Sequence, residues 1–585
     1  MTRIAILDKQ LCKNGIDCPF ICGNACPINR TKQDCIVVEE DNKALINEEL
    51  CIGCGICVKQ CPHEAIKIIN LPAALERDPI HRYGPNSFAL YSLPTPLFGR
   101  VVGIVGINGI GKSTAIKIIA GLLKPNFGKI GKEGTYEELI QFFKGTEAQI
   151  FFEKIKKGEI KLSYKPQAVD QIPRNASGTV KDLLEKVDEK KQLSEIAAKL
   201  EISNILNNDI KTLSGGELQR VAIAATVLKQ ANLYIFDEMT SYLDIKQRLK
   251  VSKFIKSLAA EDTAVLVIEH DLIALDYMAD MVHIMYGEPG GFGVVSQPRP
   301  VKTGINIYLD GYMKEENVRF RDKKIKFEIR PPSEAKKDVE LTIWPEINKK
   351  LGDFYLEADS GLIHKHESVG ILGANGIGKT TFVRMLAGEL KPDQGEIDTA
   401  IKVSYKPQYL EAESNELVMN VLQDAISNYS VEIIRPLNLQ PLFMQKINQL
   451  SGGELQRVAI ALAVSKKCDL VLLDEPSAYL DVEQRLAVAK MIGNIAENRG
   501  LSIMVVDHDL LFLDYLSERL LVFDGEPARR GHAHGPFRME EGMNKLLKEL
   551  DITLRRDEAS GRPRINKPGS QKDQEQKKKG KYYYS

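Results

Sequence analysis

Two stretches of sequence, Gly106-Ile-Asn-Gly-Ile-Gly-Lys-Ser113 and Gly373-Ala-Asn-Gly-Ile-Gly-Lys-Thr380, share the pattern Gly-x4-Gly-Lys-Ser/Thr. A largely apolar run precedes each of them, at 101–105 and 368–372. Where such a pattern joins a strand to a helix, its backbone N–H groups and the helix N-terminus surround phosphate oxygens. Each stretch therefore predicts a phosphate loop, and the chain has two.

Further motifs follow both phosphate loops in the same order. A Leu-Ser-Gly-Gly-Glu motif, which we call the signature, begins at Leu213 and at Leu450. In both copies the signature serine precedes the aspartate of an Asp-Glu pair by 23 residues, and the glutamate precedes a histidine by 32 and 33 residues. Repetition at this spacing indicates two copies of one domain, cassette one and cassette two. Apolar runs before the acidic pairs and histidines suit buried parallel strands alternating with helices, so the predicted fold class is α/β.

Each cassette has the residue types needed to bind and hydrolyse ATP with Mg²⁺. The loop lysine reaches the β- and γ-phosphates, while the loop Ser/Thr and the aspartate of the pair hold Mg²⁺. The glutamate polarises the attacking water, the histidine contacts the γ-phosphate, and a glutamine senses the γ-phosphate and the metal. The predicted catalytic residues are Glu238, Glu475, His270 and His508. The predicted ATP-binding residues are Gly106, Asn108, Gly109, Gly111, Lys112, Ser113, Thr114, Gln167, Ser214, Gly216, Asp237, Gly373, Asn375, Gly376, Gly378, Lys379, Thr380, Thr381, Gln408, Ser451, Gly453 and Asp474, of which Ser113, Thr380, Gln167 and Gln408 also contact Mg²⁺.

The composition sets outer limits on function. The chain has 585 residues, enough for three or four domains of ~100–200 residues, and 79 acidic residues balance 79 basic ones. A zero net charge gives no global attraction to nucleic acid. The first residues lack the apolar core of a secretion signal, and no apolar run approaches the ~20 residues that span a bilayer. We expect a soluble, cytoplasmic protein without a membrane segment.

Nine of the ten cysteines lie between Cys12 and Cys61. The run 51–62, Cys-x2-Cys-x2-Cys-x3-Cys-Pro, has the spacing of bacterial ferredoxins, in which the fourth cysteine binds the other of two [4Fe–4S] clusters. The run 12–27 is a looser version with the same final Cys-Pro. Zinc sites are the competing interpretation. Under the ferredoxin interpretation cluster one takes Cys12, Cys18, Cys22 and Cys61, cluster two takes Cys26, Cys51, Cys54 and Cys57, and Cys35 is spare. The tenth, Cys468, is predicted to be an ordinary buried residue.

These features predict five regions. Residues 1–75 form a ferredoxin-like α+β domain, the cluster domain; 76–288 form cassette one; 289–330, rich in turn formers, form a hinge; 331–525 form cassette two; and 526–585 form a second hinge and a basic tail. Residues 555–585 carry ten Lys or Arg against four acids, which favours either a nucleic-acid-facing arm or a solvated, disordered tail.

Cassette one is longer than cassette two at one place. From Lys112 to Gln167 there are 55 residues, but from Lys379 to Gln408 only 29. The extra residues, at about 131–160, predict a helix–loop–helix insertion. Its phenylalanines pack the helices together, and its lysines, Lys144, Lys154, Lys156 and Lys157, face solvent and suit RNA phosphates. A surface hairpin without function is the alternative.

Both cassettes resemble the ATP-binding-cassette (ABC) family over nearly their whole length, and the signature is its most specific motif. The resemblance implies that each signature completes the ATP site of the opposite cassette, so that Ser451 and Gly453 join site one, and Ser214 and Gly216 join site two. Glu217 and Glu454 stand where the family commonly has Gln, and Met239 stands where cassette two has Pro476. Aromatics that precede the loops, Tyr83 or Phe88 and Phe354 or Tyr355, are candidates for stacking on adenine.

Twin cassettes, a cluster domain and an insertion in cassette one together resemble the ribosome-recycling family of archaea and eukaryotes, also called the RNase L inhibitor family. The resemblance implies an ATPase that splits ribosomes after termination or stalling, with a release factor or Pelota-like factor. It implies binding to the small subunit and its rRNA, a link to initiation factors, structural clusters, and a monomer whose cassettes pair within one chain. An iron–sulfur redox ATPase and the motor subunit of an ABC transporter are the alternatives.

Overall fold

The computed structural model describes residues 3–9, 11–15, 18–48, 50–70, 78–325, 327, 339–397, 401–408 and 414–583. The cluster domain comes first and is built on short elements around the cysteines. Strand β1 pairs antiparallel with β4, and β2 with β3. Apolar side chains such as Leu7, Ile36 and Ile66 pack with the buried cysteines to form its core. Its elements are β1 (Arg3–Leu7), α1 (Ile21–Ala25), α2 (Pro27–Arg30), β2 (Ile36–Val38), β3 (Ala44–Ile46), α3 (Ile56–Gln60) and β4 (Ile66–Asn70).

Cassette one is built around a nine-stranded mixed sheet. Its elements are β5 (His81–Arg82), β6 (Ala89–Leu90), β7 (Val101–Val105), α4 (Lys112–Ile119), α5 (Tyr136–Phe142), α6 (Glu147–Lys156), β8 (Leu162–Lys165), α7 (Ile172–Asn175), α8 (Val180–Glu185), α9 (Leu193–Lys199), α10 (Gly215–Leu228), β9 (Leu233–Asp237), α11 (Ile245–Lys256), β10 (Ala264–Ile268), α12 (Leu272–Met278), β11 (Met281–Glu288), β12 (Phe292–Val295), β13 (Arg299–Pro300), α13 (Val301–Asp310), β14 (Tyr312–Met313) and β15 (Val318–Arg319). The strand order is β5-β6-β12-β11-β7-β10-β9-β8, with β13 beside β11.

Cassette two and the segment after it repeat this plan without the insertion. The elements are β16 (Glu340–Trp344), β17 (Ile347–Leu351), β18 (Phe354–Ala358), β19 (Gly361–His364), β20 (Ser368–Leu372), α14 (Lys379–Leu386), β21 (Val403–Lys406), α15 (Val418–Val421), α16 (Gln423–Tyr429), α17 (Gly452–Ser465), β22 (Leu470–Asp474), α18 (Val482–Arg499), β23 (Ser502–Val506), α19 (Leu510–Leu516), β24 (Arg519–Glu526), β25 (Arg530–Arg538), α20 (Met539–Glu549), β26 (Leu554–Arg556), β27 (Pro563–Ile565) and α21 (Gln571–Lys578). The strand order, β17-β18-β25-β24-β20-β23-β22-β21, matches that of cassette one.

The central strands of both sheets are parallel and fully buried, which explains their continuous apolar sequences. Strands β7, β9 and β10 have every residue buried, as do β20, β22 and β23. Because parallel strands align their carboxyl ends, the phosphate loop, the acidic pair and the histidine leave the same edge of each sheet. The α/β class predicted from the apolar runs is confirmed.

Two predicted hinges are wrong in part. Within 289–330, β12 pairs with β11 and β6, and β13 pairs with β11, so the turn-rich stretch belongs to the sheet of cassette one. Within 526–585, β25 pairs with β24 and β18, which carries the sheet of cassette two past residue 525. Glycine and proline there serve the tight turns of the hairpins β11–β12 and β24–β25 instead of a free linker.

The basic C-terminal segment is folded, which contradicts the interpretation of it as a disordered tail. Residues 554–578 form β26, β27 and α21. Arg562 is fully buried and lies 3.2 Å from Asp276 of α12 in cassette one, and Arg564 contacts the same carboxylate at 2.5 and 2.8 Å. These arginines face a partner within the chain, so they are not available to nucleic acid. The segment instead holds the end of cassette two against cassette one.

We expect this buried ion cluster to hold the C-terminal segment against cassette one. In Asp276→Ala two guanidinium groups lose a carboxylate that is 4% exposed, and uncompensated buried charge costs about 3–5 kcal/mol. Hydrogen exchange of residues 554–565 should accelerate strongly. Lys246→Ala is the control, because it removes an exposed contact of 3.6 Å between the same two parts of the chain and should cost at most ~1 kcal/mol. If residues 554–565 exchanged their amide hydrogens at the same rate in both variants, the ion cluster would not be what holds the segment in place.

Candidate functional site

The phosphate loop of cassette one folds around its lysine. Gly111 has φ 87°, a left-handed conformation that favours glycine, and it begins α4. Lys112 Nζ donates to the carbonyl oxygens of Gly106 and Ile107, both at 2.8 Å, and to Asn108 Oδ1 at 3.3 Å. Burial lowers the pKa of Lys112 to about 8. The ammonium group is thus held at the centre of the loop backbone, where it can bind a phosphate oxygen.

The predicted magnesium ligands of cassette one lie side by side. Ser113 Oγ is 3.5 Å from Asp237 Oδ2, and the Tyr164 hydroxyl donates to the same oxygen at 3.4 Å. Burial raises the pKa of Asp237 to about 6. Lys165 Nζ donates to the carbonyl oxygens of Asp237 and Glu238 at 2.9 and 3.0 Å, which fixes the backbone of the acidic pair. A hydroxyl and a carboxylate oxygen are the hard ligands that Mg²⁺ takes.

Glu238 has a strained backbone that its neighbours hold in place. Its φ is 47°, a left-handed conformation that a residue with a Cβ adopts only when its surroundings enforce it. Here the Glu238 carbonyl accepts from Lys165 and from Gln219 Nε2, the latter at 2.6 Å. The carboxylate lies 3.4 Å from His270 Nε2 and also accepts from Gln167. Burial, followed by the charge of Lys112, lowers the pKa of His270.

Cassette two has the same arrangement with small differences. Glu475 has φ 48°. Burial raises its pKa, whereas at Glu238 the closer histidine contact outweighs burial and the pKa falls. The equivalent contacts are Lys379 Nζ to the carbonyl oxygens of Gly373 (3.1 Å) and Ala374 (2.6 Å), Thr380 Oγ1 to Asp474 Oδ2 (2.7 Å), Lys406 Nζ to the Asp474 carbonyl (2.7 Å), Gln408 Nε2 to Glu475 Oε1 (2.8 Å), Gln456 Nε2 to the Glu475 carbonyl (2.6 Å) and His508 Nε2 to Glu475 Oε1 (3.7 Å).

A cleft of about 440 Å³ opens in front of the first phosphate loop. Both aromatic candidates line it together with Lys112, Gln167 and Glu238. Phe88 packs on Gly111, where a Cβ atom would lie 2.4 Å from the ring, and Phe354 takes the same place against Gly378 in cassette two. Tyr83 is 55% exposed, and its hydroxyl lies 3.0 Å from Thr114 Oγ1. Of the two aromatic residues in this cleft, Tyr83 is thus an exposed candidate for stacking on adenine, whereas Phe88 packs on the phosphate loop.

Each signature begins a long helix, α10 or α17, with a closed capping box. Glu217 N donates to Ser214 Oγ at 3.4 Å, and Glu217 Oε2 accepts from the Ser214 N–H at 2.8 Å. Ser451 and Glu454 form the same box. Glutamate and glutamine can both close such a box. Glu217 and Glu454, which stand where the family commonly has glutamine, therefore keep the geometry of the helix start.

The two cassettes meet at their sites through a pair of aspartates that the motif reasoning missed. Asp244 Oδ2 accepts from the backbone N–H of Asn375 at 3.0 Å, and Asp481 Oδ2 accepts from that of Asn108 at 3.1 Å. The signal was available, because each aspartate follows the aspartate of its acidic pair by seven residues in both copies. Each cassette thereby contacts the phosphate loop of the other.

The signatures lie beside these crossing contacts. Asn375 Nδ2 donates to the Tyr242 carbonyl at 3.1 Å, and a Cβ atom at Gly216 would lie 3.0 Å from that same carbonyl oxygen. In the other half, a Cβ atom at Gly453 would lie 2.9 Å from the Tyr479 carbonyl. The signature of cassette one therefore adjoins the phosphate loop of cassette two, and Tyr242 and Tyr479 face each other with their rings 6.4 Å apart.

The cysteines of the cluster domain converge as two groups. Cys12, Cys18 and Cys61 lie near Cys22, while Cys26, Cys35, Cys51, Cys54 and Cys57 line one cavity. Burial raises the pKa of Cys22 to about 12 and that of Cys57 to about 11. Thiolates at these positions need a cation to offset burial, as a bound cluster provides. The first group offers four sulfur ligands and the second five, because Cys35 is buried beside Cys26 and Cys51, so each group can supply the four that a [4Fe–4S] cluster takes. Cys468, expected to be buried, is half-buried.

Comparisons with known proteins agree with these sites. The family model described as ABC transporter matches residues 98–241 and 356–478, and a 4Fe-4S binding domain model matches 44–67. An uncharacterized ABC transporter ATP-binding protein of Methanocaldococcus jannaschii is 50% identical over all of this chain and 97% of its own length. Translation initiation factor RLI1 of Saccharomyces cerevisiae is 43% identical, again over the whole chain and 98% of its length.

Solved structures include a model of ribosome-bound archaeal Pelota and ABCE1. One chain of it is 49% identical, matches with a TM-score of 0.93, and is covered over 99% of its length by 100% of this chain. This chain belongs to the ABCE, or RNase L inhibitor, family. As a member of that family it is an ATP-binding ATPase with a 4Fe–4S domain. Among the described residues of this ABCE protein, no helix has the length and apolarity needed to cross a bilayer.

The two glutamates give a direct test of the ATP sites. In the variant with both Glu238→Gln and Glu475→Gln, hydrogen bonding to water is kept but the charge that activates it is removed. Steady-state phosphate release should fall by about 100-fold or more, while nucleotide binding measured by equilibrium dialysis persists. The variant Glu217→Gln is the control, because glutamine also closes the capping box and turnover should change little. Unchanged turnover in the double variant would refute the catalytic assignment.

Proposed function

We propose that this protein recycles ribosomes, using ATP to split them into subunits and then remaining on the small subunit. The observation that carries the proposal is the match over the full chain to the ribosome-bound ABCE1 structure with Pelota. The partners we propose are the small subunit with its rRNA and a release factor or Pelota-like factor, with initiation factors as later partners. The name of the yeast relative, translation initiation factor RLI1, supports that later link.

In this proposal ATP joins the two cassettes of one monomer. Site one holds the phosphates between Lys112 and the signature Ser451, and site two between Lys379 and Ser214. Mg²⁺ is held at Ser113 and Asp237 in one site, and at Thr380 and Asp474 in the other, where the oxygen donors fit it. The crossing contacts of Asp244 and Asp481 support this pairing, because they already hold each cassette to the opposite phosphate loop. Hydrolysis, with Glu238 and Glu475 orienting water, lets the cassettes separate.

One short segment of cassette one links the ATP site to the cluster domain. Tyr83 and Phe88 line the ATP cleft. Between them Asn86, 1% exposed, accepts from the Ile46 N–H at 2.8 Å and donates to the Ala5 carbonyl at 3.2 Å, both in the cluster domain. We infer that movement of the cleft wall reaches the cluster domain through this segment, and that the two clusters make a rigid structural wedge and carry no electrons.

The central experiment is a ribosome-splitting assay with purified subunits, this protein and a Pelota-like factor. Splitting should require ATP and should be absent in the double glutamine variant. Active ATP hydrolysis without any splitting would overturn the proposal. The redox alternative is tested by Cys54→Ser, which should lower iron content and abolish splitting while cassette ATPase activity persists. Loss of hydrolysis together with the cluster would favour the redox ATPase.

Asn86→Ala tests the coupling through the segment 83–88. The substitution leaves backbone partners in the cluster domain unpaired, at a cost of about 1–3 kcal/mol, and loosens the contact between that domain and cassette one. Iron content and ATP turnover should stay close to normal, whereas the rate of splitting should fall. Ser87→Ala is the control, because Ser87 Oγ donates only to Gly84 within the segment. A splitting rate as high as that of the control would show that Asn86 does not transmit motion.

The insertion supports a contact with rRNA. Helices α5 and α6 are present, and Phe143 and Phe152 stack between them with centroids 5.6 Å apart. One predicted solvent-facing lysine is wrong: Lys154 Nζ lies 5.0 Å from the centre of the Phe98 ring. Exposed lysines remain at 144, 156 and 157, although Lys156 pairs with Glu137 at 2.6 Å.

Replacing the three exposed lysines Lys144, Lys156 and Lys157 with Gln should weaken binding to small subunits. The dependence of the binding constant on salt should also become shallower, by about one in log–log slope for each phosphate left without its lysine partner. Sedimentation at several salt concentrations measures both effects. Lys199→Gln, an exposed lysine of the same cassette outside the insertion, serves as the control. A slope equal to that of the unchanged protein would show that the insertion does not bind RNA.

A further inference from the structure

Cassette two carries a cluster of histidines and aspartates that the ATP sites do not use. His532 and His534 are two residues apart on β25, so their side chains lie on one face of the strand. Asp359 directly follows β18, the neighbour of β25 on one side. Asp524 lies on β24, the neighbour on the other side, directly opposite His532. Three adjacent strands therefore bring these four side chains together.

The side chains are close enough to share one ion. Asp359 Oδ1 lies 2.7 Å from His532 Nε2, and Asp359 Oδ2 lies 2.8 Å from His534 Nδ1. One ligand atom from each of the three lies within 4.8 Å of the other two. The imidazole rings are 4.0 Å apart, centre to centre. On its far side, His534 Nε2 lies 3.1 Å from Asp524 Oδ2, which lies 3.8 Å from Lys545 Nζ.

The equivalent place in cassette one shows that the fold does not require this cluster. The hairpins align because Gly287 pairs with Gly293 as Gly525 pairs with Gly531. In this alignment His532 and His534 correspond to Val294 and Ser296, Asp524 corresponds to Tyr286, and Asp359 corresponds to Leu93. Cassette one thus builds the same three strands with the hydroxyl groups of Ser296 and Tyr286 and the apolar side chains of Val294 and Leu93. A structural need common to both sheets does not explain the polar set of cassette two.

We propose that His532, His534 and Asp359 bind a divalent transition metal ion, with zinc as the ion that this donor set suits best. Two imidazole nitrogens and one carboxylate oxygen, with a fourth position open to water, form an open zinc site. The side chains are 32%, 21% and 45% exposed, which gives the ion a path of entry. Asp524 accepts from the other nitrogen of His534 and so fixes the orientation of the ring, as carboxylates behind metal-bound histidines do.

The site would stiffen the backbone that supports the second phosphate loop. Next to His532, a Cβ atom at Gly531 would lie 1.9 Å from the Ile377 carbonyl oxygen, so β25 runs directly against that loop. At the turn before β25, the Ala528 N–H donates to the Gly376 carbonyl at 2.9 Å. An ion that ties β18 to β25 therefore fixes the strand on which residues 376–377 rest.

Zinc content of the purified full chain tests the proposal. The protein is equilibrated with Zn²⁺, passed through a desalting column and analysed by mass spectrometry for zinc and iron. The variant with His532→Gln and His534→Gln should carry one zinc ion fewer than the unchanged protein. His364→Gln, a histidine of β19 in the same cassette, should carry the full amount. The iron content should be equal in the unchanged protein and both variants. Equal iron shows that the cluster domain is filled alike in all three, so a difference in zinc does not come from zinc bound there.

A second measurement does not depend on the variant folding. Zn²⁺ should protect His532 and His534 of the unchanged protein from acylation by diethyl pyrocarbonate, and Co²⁺ bound to the unchanged protein should give visible absorption bands that added Zn²⁺ removes. Equal zinc in the unchanged protein and the variant, or no protection by Zn²⁺, would overturn the proposal and leave a hydrogen-bonded cluster only. A failure of this zinc proposal would not affect the proposed ribosome splitting, because neither histidine contacts the ATP sites described above.

Discussion

The structure depends on a reciprocal hydrogen bond between the cassettes, in which a carboxylate of one accepts from a backbone N–H of the other's phosphate loop. Asp244 reaches Asn375, and Asp481 reaches Asn108. Because the N–H groups of such a loop are the donors that also bind phosphate, the contact between the cassettes and the contact with nucleotide share one element. A change in nucleotide binding at either phosphate loop therefore alters the contact between the cassettes. Such coupling is what an ATP-driven splitting machine requires.

Two other contacts between distant parts of the chain involve buried charge or buried amide groups. Asp276 of cassette one faces Arg562 and Arg564 of the C-terminal segment, which belongs to the other half by sequence. Asn86 holds the cluster domain to cassette one through two hydrogen bonds away from water. Buried polar groups are costly without their partners, so these contacts keep defined positions between parts of the chain that apolar packing alone would leave free to slide.

Much of this architecture follows from the sequence, because the chain repeats itself. Motif spacing and apolar runs predicted two α/β cassettes with buried parallel strands and two groups of cysteines, and the motifs predicted the roles of Lys112 and Glu238. Contacts between distant segments could not be predicted in the same way. The turn-rich stretch after Glu288 was taken for a hinge because glycine and proline mark both linkers and hairpins, and only the pairing of β12 distinguishes them. The arginines of the C-terminal segment were assigned to solvent because their buried partner, Asp276, lies almost 300 residues earlier.

The duplication also shows how one sheet design acquires two sets of additions. In cassette one, strand β12, next to β6, contacts the cluster domain: Ile6 packs against Phe292 and Val294 of β12. In cassette two the strand that corresponds to β12 is β25. Its exposed face carries His532 and His534, and Asp359, which follows β18, lies beside them. Val294 and His532 occupy the same position in the two hairpins. An apolar residue there suits a face covered by another domain, and a polar one suits a face open to water. The same strand, beside the phosphate loop, has thus been adapted to hold a domain in one cassette and polar ligands in the other.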